Sequence, residues 1–103
     1  MPLSTAFALI PRVQFYAVLY GVLGVGFSAF AATYALDDNT TAAIIFGVIA
    51  AGEFLLAGWY TSYPDGIDDP EKPAPATTSE RLLALFVVGV TAIGLGMLVT
   101  RLL

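Results

Sequence analysis

Hydrophobic positions in this chain gather into three long blocks, and polar positions collect between and beyond them. The first block, Val13 to Leu36, runs for about 24 residues without a charge. At ~1.5 Å per residue, a helix of that length crosses a hydrocarbon core of ~30 Å with some tilt. Pro11 stands just ahead of it, where a missing N–H does no harm, and Asp37-Asp38-Asn39 follows where a helix should meet water.

The second block extends from Thr41 to about Tyr60, is interrupted only by Glu53, and ends in Trp59, Tyr60 and Tyr63, rings that favour a membrane interface. Only Asp37 to Thr40 separate it from the first, so the two predict an antiparallel helical hairpin with Asn39 or Thr40 as cap. Ser79-Glu80-Arg81 opens the third block, Leu82 to Thr100, and Arg101 closes it. Between the second and third, Pro64 to Ser79 holds four prolines with Asp, Glu and Thr, a composition that neither buries apolar surface nor propagates helix.

The pattern therefore predicts an all-α membrane protein. Residues 1–103 form a single three-helix transmembrane domain, with helices over about 12–36, 41–62 and 79–102. This is a helix hairpin plus a third helix after a Pro-rich acidic loop, 63–78, expected to be flexible. Met1 to Ile10 is apolar but too short to span, and is expected at the interface. Ala29-Phe30-Ala31 also has the small-x-small form of a secretory cleavage site, with Arg12 as its charged region. The apolar stretch exceeds the ~7 to 15 residues of a leader's core, which favours a retained crossing. Three crossings leave no room for a two-fold inverted repeat within the chain.

Composition sharpens this picture. The chain is 58% hydrophobic and 12% charged, with mean hydropathy +0.85, where soluble domains carry roughly 25% charged residues. It has neither Cys nor His, so disulfides, thiolate nucleophiles and the commonest metal ligand and general base are excluded. A net charge of −4 with only four basic residues argues against nucleic acid as a partner. The acidic connections resemble the surfaces of proteins from extreme halophiles. Arg12, Lys72 and Arg81 fall on one side of the bilayer and Arg101 on the other. The positive-inside rule then places this multi-pass chain in the cell membrane with its N-terminus cytoplasmic.

Glu53 is the only Asp, Glu, Lys or Arg inside any block, seven residues or ~10 Å from the Tyr60 end. A charge at such depth costs a few kcal/mol, so the group is expected to be protonated, paired or facing a wet cavity. Its helix face carries Phe46, Ile49, Ala50, Leu56, Ala57 and Tyr60. Matching depths across the bundle point to the hydroxyls of Tyr20 and Thr91 as partners. Such a group is either an interhelical clasp worth about 0.6 to 2 kcal/mol or a proton or cation site, and the clasp is the weightier expectation.

Small residues recur at four-residue spacing as Gly24-Ser28-Ala32, Ala43-Gly47-Ala51 and Ala92-Gly96. They let helices approach closely, either within the chain or against another membrane subunit. A Gly-rich first helix followed by a hairpin whose second helix bears a Glu resembles the proteolipid subunit of rotary ATPase rings over about half the chain. The chain departs from that family in its acidic Asp37-Asp38-Asn39-Thr40 loop, in lacking an alternate-glycine run and in its third helix, and these departures set it outside the family.

No nucleophile motif, phosphate-cradling loop, metal-ligand spacing or dinucleotide fingerprint occurs, since Gly21, Gly24 and Gly26 lie inside a lipid-spanning segment. The expectation is a non-enzymatic accessory or assembly subunit without metal or cofactor, packed in the lipid bilayer against other membrane protein subunits. The alternative is a homo-oligomeric transporter or channel in which Glu53 serves as a proton or cation site.

Overall fold

A computed structural model describes residues 10–63, 73–74 and 77–103 of the chain. In chain order its elements are β1 (Ile10–Pro11), α1 (Arg12–Leu36), α2 (Thr40–Ser62), β2 (Pro73–Ala74) and α3 (Thr78–Leu102). Each helix is long and apolar enough to cross a membrane, because only helices satisfy every backbone group internally in lipid. The boundaries agree with the pattern to within one residue. The expectations for Met1 to Leu9 and for most of the 63–78 loop concern residues outside those described.

The helix ends are built from local chemistry. The Asn39 side chain accepts a hydrogen bond from the Ala42 backbone N–H at 3.2 Å and caps α2. The three-residue connection from Asp37 to Asn39 turns through Asp38 at φ 59°, a left-handed conformation that Asp tolerates better than branched residues. At the start of α3, Thr77 and Glu80 form a reciprocal capping box.

One feature departs from the expected irregular connection. Residues 73–74 lie antiparallel to Ile10–Pro11, with Ile10 opposite Ala74 and Pro11 opposite Pro73. The connection thus returns to the start of α1. Proline is tolerated in so short a pair, since few N–H donors are demanded of it.

Helix α1 is the centre of the molecule. Both α2 and α3 pack along it, while α2 and α3 hardly touch one another. The core follows this arrangement: Phe15, Leu19, Leu23 and Ala29 of α1 are buried, against Ala50 alone among the apolar side chains of α2 and Val87 alone among those of α3. The outward residues are large and apolar, with Leu55 76% and Leu85 69% exposed, as lipid-facing helices require. A closed three-helix bundle would have buried one stripe of each helix. Here α2 and α3 stand as two arms against a shared spine.

Candidate intramembrane site

Glu53 lies two residues from the middle of α2, within about 3 Å of the helix midpoint along its axis. Seven residues to either side stand Phe46 and Tyr60, so the three form one line along α2. Both flanking rings are engaged on α1. Phe46 stacks on Tyr34 at 5.3 Å, Phe30 at 5.5 Å and Phe27 at 5.9 Å between ring centroids. Tyr60 stacks on Tyr20 at 5.4 Å and tilts against Tyr16 at 5.9 Å. Glu53 therefore occupies the gap between two aromatic clusters.

Contacts of the neighbouring residues fix which way this line faces. Phe30, on which Phe46 stacks, also lies beside Gly94 of α3. Phe54, one residue after Glu53, packs instead over Gly24 of α1, where an added Cβ would stand 2.8 Å from the ring. Phe46 and Glu53 thus share the flank of α2 turned toward α3, and Phe54 marks the opposite flank.

The Glu53 Oε2 atom is buried and has no hydrogen-bond partner among the described residues. This differs from the expected pairing with Tyr20 or Thr91. Tyr20 lies within electrostatic reach of Glu53, but its ring is stacked on Tyr60 and its hydroxyl interacts with that of Tyr60. Thr91 donates to the Val22 carbonyl at 3.2 Å. It sits in the α1/α3 crossing, where its short side chain reaches only α1. Depth alone does not fix a partner, because Thr91 points to α1 rather than to α2.

The predicted small-residue positions divide into two groups. Gly24 is buried under Phe54, Ala32 and Ala43 are half-buried, and Gly47 is half-buried with open space where a Cβ would point. Ser28, Ala51, Ala92 and Gly96 are exposed. The tight α1/α3 crossing is made by two glycines that four-residue spacing did not single out. A Cβ at Gly26 would meet the Thr91 side chain at 2.8 Å, and one at Gly94 would meet the Gly26 carbonyl oxygen at 2.7 Å. Gly26 is flanked at four residues by Val22 and Phe30, so a search for small pairs within one helix passes over it.

Two ion pairs, neither singled out from sequence, join α1 to α3 at opposite ends. Arg12 Nε donates to Glu80 Oε2 at 3.0 Å, and Arg12 Nη2 to Oε1 at 3.4 Å, with both side chains buried. At the other end Arg101 Nε and Nη2 donate to Asp37 Oδ1 and Oδ2 at 2.9 and 3.1 Å. The hydrogen bonds from Arg101 hold the Asp37 carboxyl below the usual range. A signal for both pairs was available: α1 and α3 run the same way, so their end charges meet, and those charges are opposite in sign at each end.

Among the described residues no group of three acidic, His or Cys side chains gathers as a metal site. The fold defines the class of this chain: an all-α membrane protein with three helices long and apolar enough to span, the second of which carries Glu53 near its middle. Comparison with family models, with curated protein sequences and with solved structures finds no match.

Proposed function

We propose that the chain is a non-enzymatic accessory or assembly subunit that packs against larger membrane proteins through the outer faces of α2 and α3. One observation carries this reading. The glycines that the chain needs for its own packing, Gly24, Gly26 and Gly94, are filled by neighbours, whereas Gly47, Gly58, Gly89 and Gly96 have nothing within 4 Å of an added Cβ. Gly47, Ala51 and Gly58 align on α2, and Gly89, Ala92 and Gly96 align on α3. Lipid tails are as apolar as Leu, so there is no hydrophobic drive between helices in a bilayer. Close backbone approach at small residues is what favours association there.

In this reading the chain resides in the cell membrane with its N-terminus cytoplasmic, following the charge asymmetry of its connections. Purification in a mild detergent tests it: the chain is expected to travel with larger, different chains, and Ala51→Leu with Gly96→Leu is expected to release them. A chain that purifies alone, or only with copies of itself, overturns it.

A further inference from the structure

We infer that Pro73-Ala74 is a strap across the start of α1 and that the Glu80 carboxylate is the latch that holds it shut. This inference does not rest on the assembly reading. The strap by itself is slight. It pairs antiparallel with Ile10–Pro11, Ile10 opposite Ala74 and Pro11 opposite Pro73, and the two prolines have no N–H to donate. So short a pair falls far below a hairpin that holds on its own. Ala74 is nevertheless fully buried, in one cluster with Phe15, Leu19 and Leu23 of α1 and Val87 of α3.

The missing hold is found at Glu80, on whose buried carboxylate several donors converge. Arg12 Nε donates to Oε2 at 3.0 Å and Arg12 Nη2 to Oε1 at 3.4 Å. The Thr77 backbone N–H donates to Oε1 at 3.3 Å, and the Tyr16 hydroxyl also interacts with this carboxylate. Two of these partners flank the strap, since Arg12 directly follows Pro11 and Thr77 lies three residues beyond Ala74. One carboxylate thus ties down both sides of the pair. Release of the strap is local. Gly26 and Gly94, where α1 and α3 touch, each stand 14 residues beyond Arg12 and Glu80, ~21 Å along the helices. The Arg101–Asp37 pair closes the seam at its other end. Opening the strap therefore uncovers the start of α1 while the two helices stay joined at the crossing and at the far end.

The chain contains no cysteine, so Ala74→Cys supplies a single reporter, read by the rate at which a maleimide labels the purified full-length protein in detergent. Labelling is expected to be at least roughly tenfold slower than in the same chain unfolded in denaturant, because a buried side chain reacts only when its surroundings open. Glu80→Gln keeps the shape, removes the charge and turns one acceptor oxygen into an amide donor. It is expected to speed labelling roughly tenfold, the scale of one lost hydrogen bond to a charged group, and Tyr16→Phe to speed it several-fold. Arg101→Gln breaks the far pair and is expected to leave the rate unchanged. Labelling of Ala74→Cys as fast as in the unfolded chain, an unchanged rate in folded Glu80→Gln, or an equal rise in Arg101→Gln overturns the inference. Should Glu80→Gln fail to fold by circular dichroism, Tyr16→Phe decides, and an unchanged rate there overturns it as well. Co-purification with other chains bears on the assembly reading alone, so the two fail separately.

Discussion

At the scale of single residues, the seam between α1 and α3 is set by two glycines, and the consequence is sharply position-dependent. An alanine at Gly94 would place its Cβ 2.7 Å from the Gly26 carbonyl oxygen, and backbone cannot swing aside. Gly94→Ala is therefore expected to destabilise the fold by about 1 to 3 kcal/mol, the usual range for overpacking. Gly96 is two residues away with open space around it, and Gly96→Ala is expected to be neutral or to stabilise by up to about 1 kcal/mol from helix propensity. Thermal unfolding in detergent, followed by circular dichroism, separates the two. Glu53 gives a second residue-level expectation. A carboxyl oxygen buried without a partner costs free energy, so Glu53→Leu is expected to raise the same unfolding midpoint. A lowered midpoint would show that the carboxyl makes a stabilising contact after all.

At the scale of elements, α3 is attached to α1 by a narrow glycine crossing and by an ion pair at each end. The two pairs are not equivalent. Arg12 and Glu80 are buried, so removing one partner leaves the other charge in a poorly solvated place. Glu80→Ala is expected to cost about 3 to 5 kcal/mol, and also removes half of the capping box on α3. Arg101 and Asp37 are exposed to water, and Asp37→Asn is expected to change stability little. The pH dependence follows from the depressed Asp37 pKa. Above the unfolded value near about 4, the contribution of this pair is fully present, and it is lost as pH falls through the lower folded value. Disulfide trapping between cysteines placed at the Asp37 end of α1 and the Arg101 end of α3 reports the loosening. Trapping that is unchanged from neutral to strongly acidic pH would count against a role for this pair.

At the scale of the whole molecule, the arrangement of two arms on one spine leaves each arm open on its outer face, and orientation decides which compartment meets each connection. Arg12 and Thr77 lie at one end of the parallel α1/α3 pair, and Asn39 at the other. With the N-terminus cytoplasmic, a cysteine at Asn39 should be labelled from outside intact cells by an impermeant maleimide, and one at Thr77 should not. The reverse pattern would invert the assigned topology.

Much of this molecule is determined by sequence alone, and the reason is the solvent. Lipid cannot hydrogen-bond a backbone, so an apolar run such as Val13 to Leu36 can only be helix, and its limits follow from Pro11 and Asp37. The same holds for the cap of α2, since Asn39 acts within three residues of its own helix end. That Glu53 stands near the middle of its helix was legible too, because the helix limits follow from the same pattern. What only the tertiary structure decides is azimuth: which face of α1 meets which arm. Depth matching proposed Thr91 for Glu53, but Thr91 faces Val22 on a different side of the spine. Spacing within a helix singled out Ser28 and Ala92, which are exposed, and passed over Gly26 and Gly94, which touch. In water the buried face of each helix would have stood out as an apolar stripe on an otherwise polar surface. In lipid both faces of a helix are apolar, so the inward side carries no signature in its own sequence and is set by the partner helix that fills it.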